Sequence, residues 1–251
     1  MLPTLQIDGH AAYLTLRRPQ AANKLTPEDL PAIVGHLETV NGSAGVLVLV
    51  VRSEGKYFCS GYDISEVAAS SQTEGRSFGE MVDALENCRP VTIAAVHGGV
   101  FGGATDLVLA CDFRVGVRAA EMFMPAVRLG LHYYQSGMER YVSRLGLDTA
   151  KRLFLTAEKL DGSAMRECGF LTHLAEDAAA LDAEVLRLRT TLAGMAPLAL
   201  LGMKKHLNQI ARGTADAASI QREVQRTVAS EDLAEGGRAW REKRTPVFKG
   251  R

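Results

Sequence analysis

Residues 46–51 are six consecutive apolar side chains, most of them β-branched, and no other segment constrains the fold as tightly. A strand with one face in water alternates polar and apolar positions. A strand that is apolar at every position needs cover on both faces, as in a sheet packed between helices. The segment from Val91 to Val96 repeats the pattern, and Phe113 to Val117 reads as a further strand. Residues 12–17 alternate Leu14 and Leu16 against Tyr13, Thr15 and Arg17, which predicts a half-buried strand. Helical periodicities separate these strands: Leu30, Ile33, Val34 and Leu37 share one face, as do Phe78, Met81, Val82 and Leu85. Thr26-Pro27-Glu28-Asp29 predicts a helix start, with the Thr26 hydroxyl as cap and two acids at the positive end of the dipole. Strands alternating with helices indicate an α/β fold. Beyond about Asp177 no strand pattern returns. Leu181, Val185, Leu188 and Leu192 form one stripe and Leu200, Met203, Leu207 and Ile210 another, available to the chain's own core or to another subunit.

Composition narrows the function classes. The chain of 251 residues is 47% hydrophobic and 23% charged, and its 29 basic and 29 acidic side chains cancel. No global field draws nucleic acid or an acidic membrane surface, so neither is an expected partner. The N-terminus lacks a basic segment followed by an apolar one, and no apolar run approaches the roughly 20 residues of a membrane span. A cytoplasmic location is expected. Cys59, Cys88, Cys111 and Cys168 are scattered without metal-ligand spacing and read as reduced thiols, so no metal site is expected. The chain spells no G-x-G-x-x-G, no phosphate-binding G-x-x-x-x-G-K-[ST] and no G-x-S-x-G elbow around Ser60. Residues 68–75 are small, polar and unpatterned, and read as a mobile loop.

Each buried run leads into a glycine-bearing turn. The first is Phe58-Cys59-Ser60-Gly61-Tyr62-Asp63-Ile64, and the second runs from His97 through Gly98, Gly99, Gly102 and Gly103 to Asp106. A turn between a buried strand and a helix aims backbone N–H groups at a negative oxygen. Two such turns side by side would hold one oxyanion from both sides, which suggests catalysis on a carbonyl compound.

These residues carry a resemblance. The first turn is similar to the F-x-A-G-x-D-[IL] element of the crotonase (enoyl-CoA hydratase/isomerase) superfamily, and Pro90 through Asp112 resembles its P-V-I-A-A-V-x-G-x-x-x-G-G-G-x-E-L-A-x-x-C-D element. Arg18-Pro19 with Asn23-Lys24-Leu25-Thr26, Pro125 through Gly130, and Glu235-Gly236 through Arg244 with Pro246-Val247-Phe248 match three further elements in order. The resemblance implies a crotonase-like ββα spiral core over residues 1–194 and a C-terminal helical oligomerisation region over 195–251. It implies homotrimers, or hexamers built from two of them, and acyl-CoA thioester substrates, with coenzyme A as part of the substrate and no separate cofactor. By position, the Tyr62 and Gly103 N–H groups correspond to the family's oxyanion hole, and the absence of a Cβ at Gly103 leaves the thioester room to approach. Ser60, Gly61, Tyr62, Asp63, Ile64 and Gly102 would line the acyl-CoA arm. Lys24, Phe248 and Lys249 are candidates for its adenine and phosphate end, and residues 66–79 for the acyl pocket.

The acid–base set departs from the family. Hydratases of the family use two glutamates; the first falls at Asp106 here and the second at Ala126. Asp106 keeps the acid but withdraws it by one carbon–carbon bond, about 1.5 Å, and Ala126 transfers no proton. Tyr133 and Tyr134 stand where tyrosine or aspartate serves decarboxylase-like, dehalogenase-like and cyclase-like members, and both join Asp106 as catalytic candidates. His132 reads as a satisfied or exposed side chain, and His97 as a brace for its turn. The expectation is a hydratase-like lyase with an atypical acid–base set. An acyl-CoA decarboxylase or hydrolase, or a non-catalytic acyl-CoA-binding subunit, remain the alternatives.

Overall fold

The computed structural model describes residues 1–63, 65 and 77–251. The expected mobile loop at 68–75, Ile64 and most of the expected acyl-pocket segment lie outside the described residues. Among the described residues, nine strands form two sheets. The larger has the order β1 (Thr4–Asp8), β2 (Ala11–Leu16), β3 (Val48–Ser53), β4 (Val91–Val96), β6 (Phe113–Val117) and β9 (His173–Ala175). Only the β1–β2 pair is antiparallel; every other neighbour in this sheet is parallel. A smaller sheet joins β5 (Val100–Phe101), β7 (Glu121–Phe123) and β8 (Lys159–Asp161).

The apolar run at 46–51 is buried throughout, but its paired part begins two residues later, at Val48. Val46 and Leu47 turn in from the preceding helix, with the Leu47 N–H donating to the His10 carbonyl, and pairing then continues to Ser53 opposite Leu16. The edge strand β1 has no counterpart in the sequence reading. Four of its five residues are exposed, so no apolar alternation marks it.

Helix α1 (Asp29–Gly42) begins later than Thr26-Pro27 predicts, and Thr26 does not cap it. The fully buried Asp29 carboxylate turns back instead, accepting from the Thr26 N–H at 2.7 Å and its hydroxyl at 3.0 Å while pairing with Arg18 at 2.6 Å. An ion pair on a buried carboxylate outcompetes a neutral hydroxyl cap. Helix α2 (Phe78–Glu86) opens with a capping box between Ser77 and Glu80. It packs on α1 and on α3 (Gly103–Ala110), and α3 packs on α4 (Gln135–Leu145). α5 (Leu147–Thr156) and the short α6 (Gly162–Glu167) complete this part.

Helix α7 (Ala178–Ala193) buries Leu181, Val185, Leu188 and Leu192 across β3, β4 and β6, giving the central strands their second cover. Three helices follow: α8 (Pro197–Ala211), α9 (Ala217–Val228) and α10 (Glu231–Glu242). The stripe predicted on α8 points largely outward, with Met203, Leu207 and Ile210 exposed. No helix among the described residues is long and apolar enough to cross a membrane.

Candidate functional site

Strands β3 and β4 are parallel neighbours, so their carboxyl ends lie side by side, and both glycine turns leave from that edge. The turns are then stitched together by backbone bonds. The Phe58 and Cys59 N–H groups both donate to the Gly99 carbonyl, at 3.0 and 3.2 Å, and the Phe101 N–H returns a bond to the Cys59 carbonyl at 3.0 Å. Leu25 braces the far side of the first turn, donating its N–H to the Gly61 carbonyl at 2.8 Å and accepting from the Asp63 N–H at 2.9 Å. Groups alternate sides along extended backbone, so the Tyr62 N–H between these two bonds turns away from Leu25.

Gly61 is a point of close approach between the turns. Its φ is +96°, and a Cβ there would stand 2.7 Å from the Phe101 carbonyl oxygen and 3.1 Å from the Gly103 nitrogen. Only glycine meets both demands. Gly102, with φ +55°, caps α3 without any side-chain hydrogen bond, and Gly103 opens the helix with its N–H at the positive end. The space beside Gly103 is not open as the sequence suggested. A Cβ there would fall 2.8 Å from the Phe78 ring, which also packs 5.6 Å from the Tyr62 ring and 6.3 Å from that of Tyr134. Phe78 therefore walls the space between both arms of the turn pair and Tyr134. Sequence reasoning placed Phe78 only on a helix stripe.

Tyr133 and Tyr134 stack with ring centroids 4.4 Å apart, and Gly79 and Gly137 leave the Tyr134 ring its room. The Tyr134 hydroxyl donates to Asp106 Oδ2, and Tyr133 Oη lies 3.4 Å from Tyr134 Oη. Asp106 itself is wholly buried in α3. Its Oδ2 also accepts from Arg140 Nη1 at 2.5 Å, while Oδ1 has no hydrogen-bond partner among the described residues. Burial pushes the Asp106 carboxyl above its usual range, with Arg140 and the Tyr134 hydroxyl pulling the other way. Burial and the Asp106 charge together raise both tyrosine hydroxyls, so each stays protonated.

Arg140 is fully buried and faces three acids, Asp106, Asp83 at 2.5 Å and Glu86 at 3.1 Å. Glu86 also accepts from Arg144 at 3.2 Å and from Arg212 at 2.9 Å. Arg212 also pairs with Glu139 at 3.0 Å, so three guanidiniums interleave with four carboxylates, and the cluster ties α2, α3 and α4 to the end of α8. Sequence reasoning did not find it. The available signal was a charged residue within the buried helical set Gly137, Arg140 and Tyr141.

The other candidates separate into near and far. Lys24 pairs with Asp63 at 2.5 Å, and Asp63 also holds the Ser65 N–H and hydroxyl, which brings its carboxyl down to about 2. Ser60 is half-buried in the first turn, its N–H on the Ala22 carbonyl. Ala126, buried, begins a short 3-10 turn and presents no titratable group where the family's second glutamate falls. His132 is exposed and bonds the Tyr133 carbonyl, and His97 bonds the Gly55 carbonyl at 2.8 Å. Phe248 and Lys249 do not join Lys24 within one chain. They lie on the tail, tied to Asp232 of α10, along a groove of about 930 Å³ that none of the other candidates line.

A sequence model of the enoyl-CoA hydratase/isomerase family matches residues 6–251. The chain is 29% identical over 242 residues to a 2,3-dehydroadipyl-CoA hydratase of Escherichia coli K12, covering 95% of this chain and 94% of that one. It is equally 29% identical, over 213 residues, to a peroxisomal Δ(3,5)-Δ(2,4)-dienoyl-CoA isomerase of Arabidopsis thaliana, covering 78% and 77%. Among solved structures, an enoyl-CoA hydratase from Polaromonas sp. JS666 superposes with a TM-score of 0.88 at 25% identity, over 99% of this chain and all of that one.

Proposed function

The chain belongs to the enoyl-CoA hydratase/isomerase family, and from that premise we propose that it binds an acyl-CoA thioester with the carbonyl oxygen between the Tyr62 and Gly103 N–H groups. The reaction proceeds through the enolate that those donors stabilise. The observation that carries this reading is the contact of the two turns, with the Gly61 backbone set directly against the Gly103 nitrogen. Two fixed peptide dipoles converge there without needing to reorganise as charge develops on the thioester oxygen. A single donor of this kind contributes about 10²–10³-fold in rate. Ser60, Gly61, Asp63 and Gly102 line the approach of the CoA arm through their backbones, with Lys24 beside them.

The acid–base set of this reading is atypical. Asp106 is the one carboxylate of the family pair that survives, and Ala126 leaves the second position without a proton carrier. Hydration of a simple enoyl-CoA needs both a placed water and a proton donor, so crotonyl-CoA is expected to be hydrated weakly or not at all. The test is mass spectrometry of products from a panel of CoA thioesters: enoyl, dienoyl, 3-oxoacyl and malonyl-type. Conversion of at least one of them supports the reading. Carbon dioxide or free CoA as the product would identify a decarboxylase or hydrolase on the same hole. Tight binding with no turnover across the panel would overturn it in favour of an acyl-CoA-binding subunit. Full hydration of crotonyl-CoA, abolished by Asp106→Ala, would overturn the weight placed on Ala126.

The same reading includes a homotrimer, alone or paired into a hexamer. Met203, Leu207 and Ile210 on α8, Val228 on α9 and Trp240 on α10 are all exposed, and Trp240 keeps 86% of its surface in water. Faces of this kind mark association surfaces. Light scattering on the purified protein tests it, and a monomer at micromolar concentration would refute it.

A further inference from the structure

Asp106 cannot meet a substrate directly. Both of its carboxylate oxygens are sealed from solvent, and Oδ2 is held by Arg140 and Tyr134. Of the side chains around it, Arg140 and Tyr141 are fully buried, and Thr105 is spent on bonds to Tyr141 and to the Gly102 carbonyl. Tyr134 alone among its partners is only half-buried, and it packs on Phe78, the ring that lies against Gly103.

Resting on the enolate reading above, we propose that Tyr134 is the residue that exchanges a proton with the substrate, that Asp106 is the buried store behind it, and that Arg140 is the positioning residue that aims Asp106 at the tyrosine. The step balances without a tyrosinate. In the forming direction the substrate α-carbon loses its proton to Tyr134 Oη while the proton already on Oη moves to Asp106 Oδ2. The C–H electron pair enters the enolate, whose oxygen is held at Tyr62 and Gly103. Asp106 becomes neutral as the enolate becomes negative. In the reverse direction Asp106 returns its proton to Oη as the Oη proton passes to the α-carbon.

Three features of the site favour this division of labour. The unpartnered Oδ1 makes the ionised carboxylate costly to bury, so Asp106 accepts a proton readily. The raised tyrosine hydroxyl resists standing alone as an anion, which the concerted transfer avoids. Arg140 divides its fork among Asp83, Glu86 and Asp106 and fixes the last of these against Tyr134. The charged and titratable groups facing Asp106 are Arg140 and Tyr141 from α4, Glu86 from α2, and Tyr133 and Tyr134 from the segment before α4.

The test needs no knowledge of the natural acyl group. The tightest binder among acetyl-, butyryl- and octanoyl-CoA is incubated in heavy water, and deuterium uptake at its α-carbon is followed by mass spectrometry. Tyr134→Phe and Asp106→Asn are each expected to slow uptake about 10²–10⁴-fold, with the dissociation constant within about threefold of wild type and the double variant no slower than either single one. Uptake that survives Tyr134→Phe would overturn the relay and leave the enolate reading standing. No uptake by the wild-type protein, or no binding of any of the three, would overturn both.

Arg140 is tested by pH profile. Uptake requires ionised Asp106, so its rate falls as pH drops through the Asp106 value. Arg140→Gln removes the cation and is expected to move that falling limb to higher pH. Should Arg140→Gln not fold, Arg140→Lys keeps a cation and is expected to hold the limb in place at a rate at least tenfold lower. A limb unmoved in Arg140→Gln, or a wild-type rate in Arg140→Lys, would reduce Arg140 to a structural ion-pair partner.

Discussion

Replacing Gly61 with alanine separates the stability of the turn pair from its catalytic geometry. The new methyl would sit 2.7 Å from the Phe101 carbonyl oxygen and 3.1 Å from the Gly103 nitrogen, both of them backbone atoms that cannot rotate away. The φ of +96° adds a left-handed penalty, about 1–2 kcal/mol for a residue carrying a Cβ. With the steric term, the total loss is expected at about 2–4 kcal/mol. At roughly 2–4 °C per kcal/mol for a chain of this size, the melting temperature falls by about 5–15 °C. The fold survives this, because the contact touches only the two-residue strand β5 and the first residue of α3, and the six-stranded sheet lies outside it.

Catalysis should not survive it equally. Ordinary contact begins near 3.4 Å, so the Phe101–Gly103 segment must retreat by about 0.7 Å, and a misplacement of about 1 Å costs on the order of 10² in rate. In the proposed hole the Gly103 N–H would move away from its place opposite the Tyr62 N–H, and the loss should fall on kcat rather than KM. The assay pairs thermal melting with turnover, or with α-deuterium uptake, on the same preparation at 20 °C, where the variant is folded. A Gly61→Ala protein that keeps more than a third of wild-type kcat would refute the hole at this position. Loss of melting cooperativity at 20 °C would refute the estimate that the strain is local.

Burial pushes the Glu86 carboxyl up, but Arg140, Arg212 and Arg144 together bring it below its ordinary 4.5. The unfolded chain therefore binds this proton first, so the stability Glu86 contributes is complete above about pH 4.5 and is lost as pH falls through the lower folded value. Urea midpoints against pH should show this acid limb in wild type and lose it in Glu86→Gln, which should also melt on the order of 10 °C lower because three guanidiniums face a neutral amide. Burial raises the Cys59 and Cys111 thiols to about 12 and that of Cys88 to about 11. At pH 8 the native protein should thus react with a thiol reagent at Cys168 only, and at all four after denaturation; native labelling of Cys59 would contradict the burial of its side chain within the first turn. The Asn23 amide accepts from the Arg18 N–H at 2.8 Å and donates to the Glu54 and Tyr57 carbonyls at 2.8 and 2.9 Å. Asn23→Ala leaves these part-buried groups without their partner and should cost about 1–3 kcal/mol by urea denaturation; a loss below about 0.5 kcal/mol would contradict this.

Much of this protein is legible in its sequence because the signals are local. Residues 46–51 state by composition alone that they are covered on both faces, Val91–Val96 does so in all but Thr92, and Gly61 and Gly102 announce backbone that side chains resist. The order of matching elements from Arg18 to Phe248 carries the family. Edge strand β1 escaped notice because an exposed strand has no apolar face to display, and Asp29 displaced Thr26 as the start of α1 because its ion pair with Arg18 spans a loop.

The sequence by itself determined which residues form the two turns and suggested a pair of backbone donors. Only the tertiary structure decided what stands around them. The parallel pairing of β3 and β4 sets the turns side by side and brings Gly61 onto Gly103. The packing of α2, α3 and α4 then seals Asp106 among Arg140, Tyr134 and Tyr141, residues up to 35 positions away. Backbone geometry is written in neighbouring residues. The state of a buried carboxylate depends on which distant charges and hydroxyls the fold delivers to it, and no local pattern records that.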